Sequence, residues 1–367
     1  MLLSHEQQKA AEILRQAGIF NPCRLVSLIR KTIAFLELNL SGLTVLTEAA
    51  SGSYVVTALI AAAAGAKRVL ALTRDSRYGT VEQVIAQTRA LETLLGIEGA
   101  VEIYSQRSPD LFKEADIVTN LGFVRPIDAE AISAMKPTAV VPLMCEAWEI
   151  RPGDVDVDAC RTKGILVMGT NEDFPGLDVF SYSGWLCFKM LFDAQIEIHK
   201  SQIVVVSRDK FGRVIEHQLF RDGASVHLLS SLRDASLKIL AEADVLIVAD
   251  YACDKIIIGD EGDMTADALA QAAPFITVIQ FAGRIDAERL RHCGIAVYPH
   301  EAIGAHRMGS TLAELSPRPV VELHAAGLKV GQSLTEIQQC NQPGPTDPLK
   351  CKSASYSASL LFSELED

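Results

Sequence analysis

One histidine and two arginines in the last third of the sequence have the chemistry to bind a small acid and exchange a proton with it. His300 follows Pro299 at the end of a predicted strand, and an imidazole titrates near neutral pH, which suits general acid and base chemistry. Arg284 and Arg307 lie nearby in the sequence, and a guanidinium group holds a carboxylate or phosphate through charge-assisted hydrogen bonds. The three residues form one candidate catalytic set for an anionic ligand. The alternative is a structural histidine at a strand end, with both arginines in a solvated loop.

A turn of small residues near the N-terminus is a second candidate site, for a nucleotide cofactor. Ser51-Gly52-Ser53 separates a predicted strand from a predicted helix, and small residues let a ligand approach the helix N-terminus, where free N–H groups attract anions. The next predicted strand ends at Arg74 and Asp75. An acid there suits a ribose diol, and an arginine suits the 2′-phosphate of NADP. NAD, NADP and S-adenosylmethionine are all compatible with this turn, and a tight turn without any ligand is the open alternative.

The composition limits the classes of partner. The sequence has 367 residues, 49% of them hydrophobic, and a formal net charge of -12. Because no basic cluster interrupts this acidic balance, nucleic acid and anionic membranes are disfavoured as partners. The longest mostly apolar run, residues 54–66, is too short to span a bilayer. Eight cysteines without a CxxC pair predict mostly buried, reduced thiols, a cytoplasmic location and no zinc site.

Apolar periodicity predicts the elements that must position these residues. An N-terminal helical segment comprises helices over 6–16, opened by a capping box at Ser4, and over 23–36. A first series of strands follows, at 44–46, 69–72, 101–103, 116–118, 139–143 and 165–168. One long helix over 178–199 then leads to a second series, at 203–206, 225–229, 244–249, 275–279 and 295–298. Two successive βαβ series predict an α/β fold of two Rossmann-like lobes with parallel sheets, in which 203–206 is the central strand of the second sheet.

These elements give a prediction of the domain limits. The N-terminal helices occupy residues 1–40, the first lobe 41–185, and the second lobe 186–310. A helix within 311–340 can return to the first lobe. The tail, residues 341–367, is rich in Ser and Pro and is predicted to be partly flexible.

Several segments, in the same order along the chain, resemble the D-2-hydroxyacid dehydrogenases over residues 112–312. They are 115–118, 127–130, 154–160, 164–167, 169–172, 244–247, 276–278, 285–286 and the pair Pro299-His300. The resemblance implies two Rossmann-like lobes, an NAD or NADP cofactor in the second lobe, and a ligand in the cleft between lobes. It also implies hydride transfer to or from a 2-hydroxy acid, in which His300 exchanges the substrate proton.

The coenzyme turn of that family is altered in this sequence. A dinucleotide-binding turn follows the pattern GxGxxG, whereas residues 207–212 are Ser-Arg-Asp-Lys-Phe-Gly. Only Gly212 remains, at the position that serves close packing of helix on strand. Asp209 would place a carboxylate beside a pyrophosphate, and like charges disfavour binding. Ser207, Arg208 and Gly212 are the remaining candidate cofactor contacts, and Arg208 and Lys210 would offset part of the repulsion.

The catalytic positions of the family are altered as well. The arginine that holds the substrate carboxylate aligns with Phe281, and Arg284, three residues further on, is its possible substitute. The acidic partner of the histidine falls in a shortened stretch, which leaves His292 and Glu301 as nearby polar candidates.

Three functions are therefore compatible with the sequence. The first is a small-molecule enzyme related to NAD(P)-dependent 2-hydroxyacid dehydrogenases. The second is a non-catalytic ligand-binding or structural relative that has lost the dehydrogenase chemistry. The third is a transferase that holds a nucleoside cofactor such as S-adenosylmethionine in the first lobe. In each case the expected partner is a small, anionic molecule, and a homodimer is the expected assembly because it is the commonest one among soluble oligomers.

Overall fold

The computed structural model describes residues 3–301, 303–340 and 362–365. The chain divides into two compact units, which we call unit 1 (residues 1–179 and 316–367) and unit 2 (residues 180–315). Each unit is an α/β structure built around its own parallel sheet, which confirms the predicted fold class.

The described residues contain strands of two series. Those of unit 1 are β1 (Thr44–Glu48), β2 (Arg68–Leu72), β3 (Val101–Tyr104), β4 (Ile117–Val118), β5 (Val140–Pro142) and β6 (Leu166–Thr170). Those of unit 2 are β7 (Gln202–Val206), β8 (Ser225–Leu229), β9 (Val245–Ala249), β10 (Ile256–Ile258), β11 (Thr277–Ala282), β12 (Arg284–Ile285) and β13 (Ala296–Tyr298). A last short strand, β14 (Phe362–Ser363), pairs with β6 of unit 1 in the antiparallel sense.

The α-helices connect and cover these strands. In unit 1 they are α1 (His5–Gln16), α2 (Pro22–Phe35), α3 (Val56–Ala63), α4 (Val81–Leu95), α5 (Pro109–Glu114), α6 (Ala129–Ala134) and α7 (Val157–Lys163). In unit 2 they are α8 (Tyr182–Asp193), α9 (Lys210–Arg221), α10 (Leu237–Glu242), α11 (Ala266–Ala272) and α12 (Ala287–His292). The long α13 (Pro317–Cys340) then belongs to unit 1. The predicted capping box opens α1, because Ser4 and Gln7 exchange backbone-to-side-chain hydrogen bonds.

The sheet of unit 1 has the strand order of dinucleotide-binding folds. Its order is β14-β6-β5-β4-β1-β2-β3. Counted along the chain, the six parallel strands are arranged 3-2-1-4-5-6, which is the order of the Rossmann fold. The order reverses between β1 and β4, and ligands of open α/β sheets bind beyond the carboxyl ends of the strands at such a switch point. The switch point of unit 1 therefore lies beyond Glu48 and Val118.

Helix α13 covers β5 and β6 of unit 1 at close range. Its Gly331 faces the sheet, and a Cβ atom there would lie only 3.0 Å from Ile117 Cγ2. Val321 and Leu328 on the same helix are fully buried. The apolar face of α13 therefore completes the core of unit 1, although the helix follows unit 2 in the sequence.

The main sheet of unit 2 has five parallel strands in the order β13-β11-β9-β7-β8. The central strand is β9, so the prediction that residues 203–206 form the central strand is wrong. Strand β7 lies next to the edge because only β8 follows on that side. A Rossmann fold has three strands on each side of its switch point. In unit 2 the residues between β8 and β9 form the short 3₁₀ helix Leu232–Asp234 and α10 instead of a third strand.

The predicted long helix over residues 178–199 is also shorter in the structure. It is α8, which runs only from Tyr182 to Asp193. Asp178 and Gln195 have φ angles of 48° and 61°. This left-handed backbone is incompatible with a right-handed helix, so the helix cannot extend to either residue.

Two further predictions concern cysteines and membranes. Free thiols are present at Cys23, Cys145, Cys160, Cys187, Cys253 and Cys293, and three of these, Cys160, Cys187 and Cys253, are buried. Cys340, at the end of α13, is disulfide-bonded.

Among the helices that the structure describes, none is both long and apolar enough to cross a membrane.

Candidate functional site

The degenerate coenzyme turn of unit 2 follows β7 and leads into α9. Its last residue, Gly212, lies against the strand: a Cβ atom there would be 2.5 Å from Ser207 Cβ and 2.9 Å from Leu228 Cδ1. This contact needs a glycine, because any side chain would push α9 away from the sheet. The turn has therefore kept the helix packing of a dinucleotide-binding turn.

Asp209 occupies the N-cap of α9 and accepts a hydrogen bond from an amide of the first turn of that helix. Its Oδ1 accepts hydrogen bonds from Phe211 N (3.0 Å) and Ser207 Oγ (3.1 Å). Its Oδ2 accepts from Tyr251 N (2.6 Å) and Ala252 N (3.3 Å), in the loop that follows β9. The carboxylate thus bridges the switch point between β7 and β9. Burial raises the pKa of Asp209, and the four donors only partly counteract this.

The two cations of the same turn are directed to partners within unit 2. Arg208 Nε donates to Asp250 Oδ2 (2.6 Å), and Arg208 Nη2 contacts Cys253 Sγ. Asp250 is 1% exposed, so the arginine neutralises a buried carboxylate. Lys210 Nζ lies 3.9 Å from the centre of the Phe180 ring, a cation–π geometry. Arg208, which was expected to offset Asp209, is therefore paired with Asp250 instead.

The three predicted catalytic residues follow strands β11 and β13 of unit 2 in the sequence. Arg284, in β12, is exposed and donates from Nη1 to the carbonyl of Asp254 (2.9 Å). His300 follows β13 with an exposed side chain, and its carbonyl accepts from Arg291 Nη2 (3.0 Å). Arg307 is exposed further along the same loop. Their joint role in one site stays a prediction.

A histidine–carboxylate pair that the sequence analysis missed lies in the same unit. His306 Nε2 is 2.6 Å from Asp254 Oδ1, and the Tyr251 ring packs against the His306 ring edge-on at 5.8 Å. By contrast, the Nδ1 atom of His292, which was considered as a polar candidate, contacts the carbonyl of Glu288 in its own helix (2.8 Å). The pair joins residues 52 positions apart, and the only sequence signal was the place of Asp254 soon after β9.

The predicted cofactor turn of unit 1 is tied to neighbouring elements. Gly52 has a φ angle of 62° and donates from its N–H to Gln87 Oε1 (2.9 Å). Ser51 Oγ donates to the carbonyl of Tyr78 (3.1 Å), and Ser53 lies in the 3₁₀ helix Gly52–Val55 that precedes α3. Asp75 Oδ1 accepts from Val81 N (2.8 Å) at the start of α4.

Arg74 extends from the end of β2 toward the loop after β4. Its guanidinium carbon lies 5.4 Å from the centre of the Phe123 ring, and its side chain is exposed. The predicted residues of unit 1 therefore form a turn with internal hydrogen bonds and one exposed cation beside the switch point.

Polar side chains are buried at this switch point, and the sequence analysis missed them. Thr119 Oγ1 donates to Thr47 Oγ1 (3.0 Å) across β4 and β1. Glu48 Oε2 accepts from Phe123 N (3.1 Å), and Asn120 Oδ1 accepts from Met144 N (2.8 Å). Thr47, Glu48, Thr119 and Asn120 are at most 7% exposed. The sequence signal was their position at the ends of two apolar strands.

The electrostatics at the switch point favour neutral groups. Burial raises the pKa of Glu48, although the N–H groups of Phe123 and Gly122 and the charge of Arg125 lower it. Burial, reinforced by Glu149 and Glu172, raises the pKa of the Cys145 thiol well above its usual value. Arg125 is itself paired with Asp154. The interior of the switch point thus holds a carboxyl group with a raised pKa, a carboxamide and a thiol.

Comparison with known proteins identifies the fold. No protein-family model and no curated protein sequence matches the chain. Among solved structures, a dipicolinate synthase subunit from Bacillus halodurans matches with a TM-score of 0.52 at 13% identity, over 81% of this chain and 99% of that one. The chain shares the fold of that protein. Its counterpart from the dipicolinate synthase of Bacillus subtilis matches equally, with a TM-score of 0.52, 13% identity and coverage of 83% and 100%.

D-2-hydroxyacid dehydrogenases are also among the matching structures. NAD+-bound 3-phosphoglycerate dehydrogenase from Entamoeba histolytica matches with a TM-score of 0.42 and 11% identity, over 82% of this chain and 97% of that one. The matching structures thus include a member of the family that the sequence resembles. At such identities the comparison shows the fold alone, and none of these matches supports S-adenosylmethionine as a cofactor.

Proposed function

We propose that the chain is a small-molecule-binding relative of the NAD(P)-dependent 2-hydroxyacid dehydrogenases that does not hold a dinucleotide at residues 207–212. The observation that carries this proposal is the carboxylate of Asp209, which accepts hydrogen bonds from Tyr251 N and Ala252 N across the switch point. The chain supplies its own anion where a dehydrogenase of this fold would bind the pyrophosphate of its cofactor.

The surrounding residues support the same conclusion. The N–H of Phe211 donates to Asp209, and that of Gly212 donates to Ser207 Oγ (3.2 Å), so two amides in the first turn of α9 are already satisfied. A second anion next to Asp209 would meet like-charge repulsion in a partly desolvated site. Strand β8 is the edge of the sheet, and no third strand forms a wall for an adenosine on that side within residues 230–244. Both the phosphate and the adenosine contacts are therefore reduced.

The proposed ligand is anionic because of the exposed cations near the carboxyl ends of the strands. Arg284 follows β11, and His300 and Arg307 follow β13. All three side chains are exposed. In parallel sheets these loops are the usual place for ligand contacts, and arginine there favours a carboxylate or phosphate.

The first experiment measures NADH and NADPH binding by isothermal titration calorimetry. We expect no measurable binding by the unmodified chain, and at least about tenfold tighter binding by Asp209→Gly, since removal of one buried like charge is worth about 1.4 kcal/mol or more. Asp222→Gly, at the opposite end of α9, is the matched control and should leave binding unchanged. Tight NADH binding by the unmodified chain that is weakened by Asp209→Gly would contradict the proposal.

A second candidate function is hydride transfer with NAD or NADP, in which His300 exchanges a proton and Arg284 or Arg307 orients a carboxylate. It is favoured by the shared fold and by the exposed position of His300 after β13. NADH oxidation in the presence of small 2-oxo acids distinguishes the two candidates. Activity that disappears in His300→Ala while NADH binding persists would support this second function and overturn the first.

A further inference from the structure

The two strands at the switch point of unit 1 place one carboxyl group and one carboxamide side by side. In the parallel register, Val45 pairs with Ile117 and Leu46 with Val118, and Thr119 N continues the ladder to Leu46 O (3.0 Å). The next positions align Thr47 with Thr119, whose hydroxyl groups are in contact. Because successive side chains of a strand point to opposite faces, Glu48 and Asn120 follow together on the other face.

The hydrogen bonds of Asn120 leave its donor side almost unused. Met144 N donates to Oδ1 (2.8 Å), and this bond fixes the orientation of the amide. The Nδ2 atom then has only Cys145 Sγ at 3.9 Å as its acceptor among the described residues. The Asn120 side chain is 5% exposed, and its two N–H donors have one weak sulfur acceptor between them. Because buried donors are normally satisfied, we infer that a ligand supplies a further acceptor.

The carboxyl group of Glu48, like the amide of Asn120, is oriented by a hydrogen bond from a backbone N–H. Oε2 accepts from Phe123 N (3.1 Å), and Gly122 packs so closely that a Cβ atom there would lie 3.3 Å from this oxygen. The charge that acts on Glu48 is that of Arg125, which is paired with Asp154. The exposed Arg74 contacts the ring of Phe123, the residue whose N–H binds Glu48. The neighbouring Cys145 thiol is neutral, because burial raises its pKa.

We propose that Glu48, Asn120 and Arg74 form a binding site for the carboxylate of a small organic acid at the β1/β4 switch point of unit 1. Asn120 Nδ2 donates one hydrogen bond to the ligand. Glu48 takes up one proton from solvent when the ligand binds and donates it in a hydrogen bond to the ligand carboxylate. Two adjacent carboxyl groups are stable when they share one proton, and Arg74 supplies the compensating positive charge. The site lies apart in the sequence from Arg284, His300 and Arg307.

This inference rests on the proposed function only in that both require an anionic ligand. The probe is pyruvate, titrated calorimetrically between about pH 5.5 and pH 8 in two buffers of different ionisation enthalpy, so that proton uptake is measured directly. At the pH values where Glu48 is ionised in the free protein, we expect the unmodified chain to take up about one proton on binding pyruvate, and the Kd to rise about tenfold per pH unit.

Three variants decide the result. Glu48→Gln, which mimics the neutral acid, should bind pyruvate with a Kd that changes less than about twofold over this range. Asn120→Asp should weaken binding at least about tenfold by adding a like charge. Glu98→Gln, an exposed acid elsewhere in unit 1, should behave as the unmodified chain. Thermal unfolding of each variant checks that it is folded.

Several outcomes would overturn the site. These are the absence of pyruvate binding by the folded, unmodified chain, binding without proton uptake at every pH of the range, or binding that is lost in Arg307→Ala but unaffected in Asn120→Asp. The last result would place the anion in unit 2 and leave the proposed function intact. Conversely, tight NADH binding by the unmodified chain would refute the proposed function without affecting the pyruvate titrations. Equal competition by inorganic phosphate would show that the site recognises charge alone, and would overturn its assignment to a carboxylate.

Discussion

At the scale of single residues, buried ionisable groups are the most informative feature of this chain. Glu48 ends the first strand of unit 1 and Asp209 follows the first strand of unit 2. Each accepts hydrogen bonds from backbone N–H groups across a switch point. The sequence pointed to Asp209 because it replaces an expected glycine. It did not point to Glu48, because the amide that this residue binds is 75 positions away and becomes a neighbour only through the strand order.

His324 gives a prediction at the same scale. It is buried in α13, its Nδ1 contacts Thr57 Oγ1, and burial lowers its pKa to about 4 from the usual 6.5. The unfolded chain binds a proton at this residue more readily than the folded chain does. Stability linked to His324 is therefore fully present above pH 6.5 and is lost as the pH falls toward 4. When the pH is lowered from about 7 to about 5, we expect His324 to reduce the free energy of unfolding by about 2 kcal/mol.

Urea unfolding at these two pH values tests this expectation. His324→Gln keeps a hydrogen-bonding partner for Thr57 but cannot titrate, so its loss of stability between about pH 7 and pH 5 should be about 2 kcal/mol smaller. His217→Gln, on the exposed face of α9, is the control and should lose as much stability as the unmodified chain. An identical pH dependence in His324→Gln would show that the imidazole is not held neutral.

At the scale of elements, the sequence predicts buried strands well and their boundaries and partners less well. Strands β1, β5 and β9 are buried along their whole length, and such strands give apolar runs that can be recognised in the sequence. The short β10 and β12 have no such signal, and they pair with each other at the carboxyl side of unit 2. The overprediction of α8 has a local cause, the left-handed residues Asp178 and Gln195, which periodicity does not reveal.

The packing of α9 on β7 and β8 can be tested by the substitution Gly212→Ala, which adds one methyl group between helix and strands. In Gly212→Ala the new Cβ atom would lie 2.5 Å from Ser207 Cβ, so α9 must shift. The better helix propensity of alanine offsets up to about 1 kcal/mol, and we expect a net destabilisation of about 1–3 kcal/mol in urea unfolding. Arg213→Ala, the next and exposed position, should change stability by less than about 0.5 kcal/mol. Equal stability of the two variants would mean that α9 is not held against the strand.

At the scale of the whole molecule, unit 2 is inserted in the sequence of unit 1. Unit 2 is one continuous segment, residues 180–315, whereas unit 1 is completed by α13 from beyond it. Each unit has its own apolar core, drawn from strands and helices of that unit. The sequence predicted two lobes from two βαβ series, and it allowed α13 to return. The lost third strand of unit 2 and the resulting strand order became evident only in the structure.

This organisation predicts that unit 2 folds without unit 1. A chain that ends at Leu315 lacks α13, whose Val321 and Leu328 are fully buried in unit 1, so unit 1 should lose its tertiary structure while unit 2 keeps its own core. The sequence has two tryptophans: Trp148 lies in unit 1 and Trp185 in unit 2. In the shortened chain, urea unfolding followed by fluorescence should show a cooperative transition for Trp185 in a Trp148→Phe background. The reciprocal Trp185→Phe variant, which reports on Trp148, should show none. If both tryptophans of the shortened chain unfold together, or neither does cooperatively, the two units depend on one another for folding. In that case the consequences of Asp209 and Glu48 variants could not be assigned to one unit.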